Sequence, residues 1–311
     1  MMTQFIGWLA SELGMPLRFG ITALEFLDVA GRVVVDGVPD FSRLNVADIV
    51  RNAASEFSVI ELTMDVQHIV PGSLTPNTIK QLVELKEESS LSFTAHLPLW
   101  SIELATFNEH VRMGGVNSTI EAIELVKPLD PEAYVLHTTG ELAAEFSKSE
   151  YNPALVRLIS TLLAGFAAAS VDDILSKTEI NPRKIAVENY KFPFDVMRDV
   201  IDDLDLSICF DTAHLLTRMS GTESIMDFYT THRDRITEIH LQDATYTEYE
   251  DAESYDDHIP LGQGIMGDTV LRDFLSELVK DKFNGPLIFE LSLDEARESL
   301  DHIRKVIPEV L

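Results

Sequence analysis

Nine residues with the chemistry of metal ligands lie at the ends of short apolar runs or just after them. Five are histidines, out of nine in the chain, and four are carboxylates. Imidazole nitrogens and carboxylate oxygens are ligand atoms for zinc, manganese, iron and cobalt. Few Lys or Arg residues lie beside these acids, and an unpaired buried charge is costly. The pattern therefore predicts a divalent-metal site formed by His96, His137, Glu188, Asp211, His214, His240, Asp256, His258 and Glu290.

The apolar runs that carry these residues alternate with amphipathic helical patterns along the chain. The runs predict strands at 17–22, 58–64, 91–97, 133–139, 184–190, 206–212, 236–243 and 286–293. Helical patterns lie near 43–56, 74–88, 115–127, 151–176, 194–204, 223–235, 269–280 and 294–307. Near-continuous apolar strands separated by helices are typical of a parallel sheet, and eight such units predict a closed barrel. We therefore predict an α/β fold, a (β/α)8 TIM barrel that forms a single domain over residues 1–311.

An open, doubly wound sheet is the alternative architecture. Such a sheet usually carries a glycine-rich phosphate loop after its first strand, and the segment FGITALEFLD has none. In a barrel, the carboxyl ends of all strands meet at one face. Each ligand candidate taken alone has an ordinary explanation as a core, rim or helix-capping residue. Their recurrence on consecutive strands favours the metal site.

The segment YDDHIPLGQG, at residues 255–264, is the least obvious part of this site. It reads equally well as a solvated acidic loop with a turn. Placed after the seventh strand, it would allow Asp256 and His258 to reach back towards His214. Pro260, Gly262 and Gly264 would then shape the tight return of the chain.

The amino-acid composition limits which classes of molecule this protein could bind and where it could be located. The chain has 24 Lys and Arg against 52 Asp and Glu, a net charge of −28, which argues against a nucleic-acid partner. The single cysteine, Cys209, cannot form an internal disulfide. The apolar segment at 158–170 is too short to span a bilayer, and we predict a buried helix there. The N-terminus lacks the basic start of a signal peptide. We expect a cytoplasmic protein without a membrane anchor, and an oligomer is compatible with this sequence.

The chain resembles the xylose isomerase-like TIM barrel superfamily, which includes the endonuclease IV group and sugar or sugar-phosphate isomerases and epimerases. The resemblance follows the strands over nearly the whole chain. The superfamily's core of Glu, Asp, His and Glu at the last strand ends is matched by Glu188, Asp211, His240 and Glu290. The endonuclease IV pattern adds five ligands, matched by His96, His137, His214, Asp256 and His258.

The resemblance implies between one and three divalent metal ions, Zn²⁺ first and Mn²⁺ as the alternative. Three ions would be held by His96, His137 and Glu188, then by Glu188, Asp211, His240 and Glu290, and finally by His214, Asp256 and His258. Glu188 would bridge the first two ions. One metal would lower the pKa of a water molecule while the others stabilise negative charge, which suits hydrolysis.

Two functions follow from this resemblance. The favoured one is a multi-metal hydrolase of a small phosphoester or amide, including a cobamide-type amide. The alternative is a one-metal sugar or sugar-phosphate isomerase or epimerase, in which Glu188 and Glu290 act as acid and base. DNA is disfavoured, because residues 58–79 and 245–271 contain no Lys or Arg. We name Glu61, Lys191 and Arg218 as candidate contacts to a small-molecule substrate. For Glu61, a buried carboxylate held by a neighbouring amide is an equally good explanation.

Overall fold

Eight parallel strands close into a barrel in the computed structural model, which describes residues 16–24, 26–35, 37–248 and 253–311. Each strand pairs with its sequence neighbours in the barrel, and the last pairs with the first, with Phe19 opposite Leu287. The predicted TIM barrel is therefore confirmed. The strands are β1 Arg18–Thr22, β2 Val59–Thr63, β3 Ser92–His96, β4 Tyr134–Leu136, β5 Ile185–Glu188, β6 Ser207–Asp211, β7 Ile236–His240 and β8 Pro286–Phe289.

Helices surround the barrel, and each of the predicted helical patterns has a counterpart among them. The described helices are α1 Phe26–Val33, α2 Val46–Ala53, α3 Val66–Ile69, α4 Pro76–Ser89, α5 Glu109–Val126, α6 Glu141–Ser147, α7 Pro153–Thr178, α8 Phe194–Asp203, α9 Thr212–Leu216, α10 Ile225–His232, α11 Asp268–Lys280 and α12 Leu293–Val306. Short 3₁₀ turns lie at Phe41–Arg43, Lys127–Leu129, Pro182–Lys184 and Pro308–Val310. Four short helices, α1, α3, α6 and α9, were not predicted, because few turns leave no clear period in the sequence.

Helix α5 begins six residues before its predicted start at residue 115. Asn108 caps it by accepting a hydrogen bond from the His110 backbone N–H. Gly114 and Gly115 interrupt the helical pattern in the sequence. Gly115 is buried, and a Cβ there would lie 3.2 Å from Leu104, so the helix packs closely at this point.

Helix α7 has the length and apolar content of a membrane-spanning segment. It packs against α5, α6 and α8 on the outside of the barrel, and one third of its apolar window is buried. The prediction of a buried helix holds for one face only, which includes Leu163 and Ala167. On the other face Leu158 and Leu162 are more than half exposed, at 55% and 58%.

The connection after β7 contains an antiparallel hairpin where we had predicted a loop. Strands Asp243–Glu248 and Glu253–Ile259 pair, with Thr245 opposite Asp256. These two strands lie in the connection between β7 and β8, and we call them the β7–β8 hairpin. The prediction missed it because a run of acidic and polar residues carries no strand periodicity.

The return from the hairpin is organised by one buried carboxylate. Asp243 accepts hydrogen bonds from the backbone N–H groups of Gly262, Gly264 and Met266, at 3.2, 3.0 and 2.8 Å. Gly262 has a φ of +83°, and a Cβ on Gly264 would lie 2.3 Å from the Ala244 carbonyl oxygen. Both glycines are therefore required by geometry, as predicted for this turn.

A substitution at Gly20 tests how tightly the barrel is packed. A Cβ at this position in β1 would lie 2.7 Å from the Val59 carbonyl oxygen and 2.5 Å from Ile288 Cδ1. Because backbone blocks the new atom, Gly20→Ala should lower the free energy of unfolding by about 1–3 kcal/mol. Denaturant unfolding measures this change. The matched control is Gly114→Ala in α5, where a Cβ meets nothing within 4 Å. That variant should be neutral or more stable by about 0.5–1 kcal/mol. An equal loss in both variants would contradict the packing argument.

Candidate metal centre

The carboxylate of Glu188, at the end of β5, lies among four histidines. Its Oε2 is 2.7 Å from His137 Nε2 and 3.3 Å from His96 Nε2. Its Oε1 is 3.0 Å from His214 Nδ1 and 3.6 Å from His240 Nδ1. All five side chains are buried. The two oxygens of one carboxylate thus face two different pairs of imidazoles.

A second group of ligand atoms shares Glu188 with the first. His240 Nδ1 lies 3.1 Å from Glu290 Oε2 and 3.8 Å from Asp211 Oδ2. The ligand atoms of Glu188, Asp211, His240 and Glu290 all lie within 4.8 Å of one another. The same limit holds for His96, His137 and Glu188. The barrel therefore brings predicted ligand positions together as two compact groups with one member in common.

Gln242 holds two acids of the second group in place. Its Nε2 donates to Asp211 Oδ2 at 3.0 Å and to Glu290 Oε2 at 3.2 Å, and its Oε1 accepts from the Glu290 N–H at 3.1 Å. Gln242 is fully buried. The sequence analysis missed this residue. Its only signal was a polar side chain directly after β7, in the segment EIHLQD.

Asn189 fixes the backbone at the end of β6. Its Oδ1 accepts from the Asp211 N–H at 2.7 Å, and its Nδ2 donates to the Asp211 carbonyl oxygen at 3.0 Å. Asp211 in turn caps α9, because its Oδ1 accepts from the His214 N–H at 2.7 Å. One carboxylate therefore serves as a ligand candidate and sets the position of the next histidine.

The pKa values of the histidines in this site test whether their surroundings favour a positive charge. Burial opposes charge on His96, but Glu188 and Glu61 raise its pKa to about 10. Burial likewise opposes charge on His214, and Asp211 and Glu188 raise its pKa to about 9. The neighbouring acids therefore favour the protonated, positively charged form of these histidines although the side chains are buried. Among the described residues, neither ring nitrogen of His240 has a hydrogen-bond partner, and the same is true of His137 Nδ1. Divalent cations bound to these nitrogens and oxygens would supply the same charge, so the residues fit metal ions.

Comparison with known proteins agrees with this geometry. A family model described as "Xylose isomerase-like TIM barrel" matches residues 50–306. The chain belongs to this family. The predicted resemblance is therefore confirmed, and members of the xylose isomerase-like family bind divalent metals and are mostly enzymes.

Individual relatives are distant. An uncharacterised protein from Methanocaldococcus jannaschii, MJ1311, is 23% identical over 87% of this chain and 83% of its own length. A D-tagatose 3-epimerase-like protein matches with a TM-score of 0.67 and 19% identity, over 94% of this chain and 98% of that one. Endonuclease IV from Thermus thermophilus matches with a TM-score of 0.64 and 16% identity, over 94% and 99%. These two likenesses show the xylose isomerase-like fold and leave the reaction open.

The β7–β8 hairpin presents a different acid from the one predicted. Asp257 Oδ2 lies 3.7 Å from His214 Nε2, and Asp257 Oδ1 lies 3.1 Å from His258 Nδ1. Asp256 is exposed and accepts a hydrogen bond from the His258 N–H instead. His258 Nε2 lies 3.6 Å from Glu290 Oε2. The structure thus brings His214 and His258 near each other but places Asp257, not Asp256, between them.

The two predicted cationic substrate contacts are paired with glutamates. Lys191 Nζ pairs with Glu141 Oε1 at 3.0 Å, and Arg218 Nη1 with Glu248 Oε2 at 3.3 Å. Neither residue lines the two cavities that contain His96, His258 and Glu290. Tyr190, which was not predicted, does line the centre. Its ring centroid lies 4.5 Å from that of His137 and 4.9 Å from that of His214.

Glu61 lies beneath the centre, inside the barrel, and is fully buried, so it does not line a substrate pocket as predicted. It accepts hydrogen bonds from the hydroxyls of Thr22 and Thr94, at 3.0 and 3.4 Å. Its Oε2 lies 3.5 Å from His240 Nε2. An acid at this nitrogen favours a proton there, which leaves Nδ1 free to face Glu188 and Glu290.

A second acid, Glu238, lies beside Glu61 and belongs to the same interior layer. Ligand atoms of Glu61, Glu238 and His240 lie within 4.8 Å of one another. Burial, and then the charge of Glu61, raise the pKa of Glu238 well above its ordinary value. The shift favours the protonated form of Glu238, and Glu61 is the acid whose carboxylate oxygen faces His240 Nε2.

The roles of these two interior acids can be separated by matched substitutions. Glu61→Gln replaces the carboxyl group that faces His240 Nε2 with an amide, and the affinity for Zn²⁺ should fall by about 10-fold to 100-fold. Calorimetric titration with a competing chelator measures this affinity directly. Glu238→Gln is the control, since it makes the same change of group at the neighbouring acid, whose protonated form burial already favours. Equal losses in the two variants would show that Glu61 acts only through packing.

Proposed function

We propose that this chain is a hydrolase with at least two divalent metal ions, which cleaves a small phosphoester or amide. A cobamide-type amide remains within this substrate class. The observation that carries the proposal is the geometry of Glu188, whose two carboxylate oxygens face separate histidine pairs. A carboxylate placed in this way can bridge two ions, whereas a one-metal site needs only one of its faces.

Each ion would have its own ligands from this chain. His96, His137 and Glu188 would hold one, and Glu188, Asp211, His240 and Glu290 the other. His214, Asp257 and His258 are the residues available for a third. Ligands of mixed imidazole and carboxylate type suit Zn²⁺, with Mn²⁺ as the alternative. When bound, such ions lower the pKa of water and stabilise negative charge on an oxygen of the substrate.

The protein itself supplies orientation and exclusion of water. Gln242 and Asn189 fix Asp211 and Glu290, and Glu61 sets which nitrogen of His240 faces them. Tyr190 covers His137 and His214 with its ring. Because these side chains are held before substrate arrives, little reorganisation is needed during the reaction.

DNA is disfavoured as the substrate by the position of the basic residues. All Lys and Arg residues of the chain fall within the described ranges. None lines the three cavities that contain His96, His137 or His258. Lys191 and Arg218, on the rim, are paired with glutamates. A phosphate backbone would meet an acidic surface here.

A one-metal isomerase or epimerase acting on a sugar is the second candidate. It is supported by the four-residue group Glu188, Asp211, His240 and Glu290, and by the likeness to an epimerase-like protein. In that reaction Glu188 and Glu290 would hold and release the proton on the carbon beside the carbonyl.

His137→Ala distinguishes the two candidates, because His137 belongs only to the first ligand group. In a two-metal hydrolase the variant should lose one ion per chain, and the hydrolysis rate should fall at least about 100-fold. Elemental analysis and assays with a panel of phosphoesters, amides and ketoses measure both effects. His110→Ala, in the exposed first turn of α5, is the control of the same residue type. One ion in the wild-type protein, retained in His137→Ala together with ketose turnover, would establish the epimerase instead.

Glu188→Ala tests the bridge itself. If Glu188 is shared by two ions, its removal should reduce the metal content by more than one ion per chain. Native mass spectrometry counts the ions, and circular dichroism checks that the barrel is intact. Loss of a single ion would contradict a bridging role.

A further inference from the structure

A cavity of about 160 Å³ adjoins the metal centre on the side of β1, β2 and β3. Three residues of the centre, His96, His258 and Glu290, form one of its walls. The rest of the wall consists of residues that follow the first three barrel strands, and most of these residues have apolar side chains. These apolar residues are Leu24, Val29, Val66, Ile69, Leu99 and Trp100.

Of the threonine and aspartate side chains in this wall, Thr22 and Asp65 are engaged by the protein, and Thr63 adds a single hydroxyl. The Thr22 hydroxyl donates to Glu61 at 3.0 Å. The Asp65 carboxylate accepts from the backbone N–H groups of Leu99 and Trp100, at 3.0 and 3.1 Å. A hydroxyl-rich group placed in this cavity would lose hydrogen bonds to water and regain few, which is unfavourable.

Charge excludes a second class of occupant. Neither Lys nor Arg lines the cavity, and no residue outside the described ranges is basic. The charged side chains that do line it include the acids Asp65 and Glu290. A phosphate or carboxylate held away from the metal ions would therefore meet acids without a counter-charge.

We infer that the substrate joins the metal-binding polar group to a compact apolar group, which occupies this cavity. This inference rests on the proposed function for the polar group only. The volume fits the apolar part, because an engineered apolar cavity of about 150 Å³ binds benzene. An ester or amide with an aromatic or branched aliphatic substituent has this form. An unsubstituted sugar does not.

Three hydroxamates with the same chelating group and different tails test the inference. Acetohydroxamate, benzohydroxamate and the hydroxamate of glyceric acid present a methyl, a phenyl and a dihydroxyethyl tail to the metal-loaded protein. Calorimetry should show the phenyl compound binding about 10-fold to 200-fold more tightly than the methyl compound. The dihydroxyethyl compound should gain nothing over methyl. Equal or tighter binding of the dihydroxyethyl compound than of the phenyl compound would overturn the inference.

Substitutions locate the effect in the cavity. Ile69→Phe fills part of the space and should remove most of the preference for phenyl, while the affinity for acetohydroxamate stays unchanged. Ile69→Thr keeps the branched shape but adds a hydroxyl, and it covers the case in which the phenylalanine variant does not fold. Val270→Phe, at an exposed position of α11, is the control. If a folded Ile69 variant keeps the full preference, the cavity is not the binding site.

A metal-free measurement separates this inference from the proposed function. Benzyl alcohol has no chelating group, so ligand-observed saturation-transfer NMR on the metal-free protein reports on the cavity alone. We expect binding in the wild type and Val270→Phe, and weaker binding in Ile69→Phe. If benzyl alcohol binds and hydroxamates do not, the apolar cavity stands and the proposed metal chemistry fails. If benzyl alcohol does not bind, the inference about the cavity fails.

Discussion

The burial of Glu188 among four imidazoles is the interaction on which the rest of the site depends. A carboxylate withdrawn from water must meet positive charge close by, or it becomes neutral. No Lys or Arg lies near it in the part of the chain described, so the charge comes from imidazole protons or from metal ions. The histidines belong to four elements, β3, α9, β7 and the end of β4, and only a closed barrel brings these elements to one point. The barrel therefore positions the ligands, and the ligands account for buried acids that would otherwise destabilise it.

The support for this centre extends below and beside it. Thr22 and Thr94 hydrogen-bond to Glu61, which faces His240 from inside the barrel. Gln242 joins the acids of β6 and β8 from above β7. Most of these side chains lie at strand ends or in the interior layer, where neighbouring strands fix the rotamer. Because these side chains are held rigidly, the geometry of the ligand candidates is set before a metal ion binds.

Sequence reasoning predicted the barrel and the strand-end residues that it brings together in the two candidate metal groups, since both depend on a repeated local pattern. It could not decide between Asp256 and Asp257. On a strand, neighbouring side chains point to opposite faces, so the choice depends on the register of the β7–β8 hairpin with its partner. The acidic run in this segment carries no sign of a strand at all. The sequence predicted Glu61 as a substrate contact, because an acid at a strand end gives the same pattern in two cases. Its side chain can lie at the mouth of the barrel or in the layer of side chains below the mouth.

Gln242 and Arg218 are two further residues whose positions the sequence did not predict. An amide after β7 became a central support, and an arginine after β6 became a surface residue paired with Glu248. Both outcomes depend on contacts between segments far apart in the chain, which residue type and spacing do not encode. Predictions from local pattern therefore succeed for groups that the barrel strands place, and fail for groups placed by the loops above them.

The two halves of the barrel face have different chemistry, and this division constrains the substrate more than either half does. Strands β5 to β8 end in acids, histidines and amides, the residue types of the candidate metal groups and their support. The segments after β1, β2 and β3 supply the largely apolar cavity lined by Leu24, Val66, Ile69 and Trp100. A substrate that uses both halves must be polar at one end and apolar at the other. His96 and Glu290 line both cavities, so in the proposed substrate the bond that reacts would lie close to the junction of its polar and apolar parts.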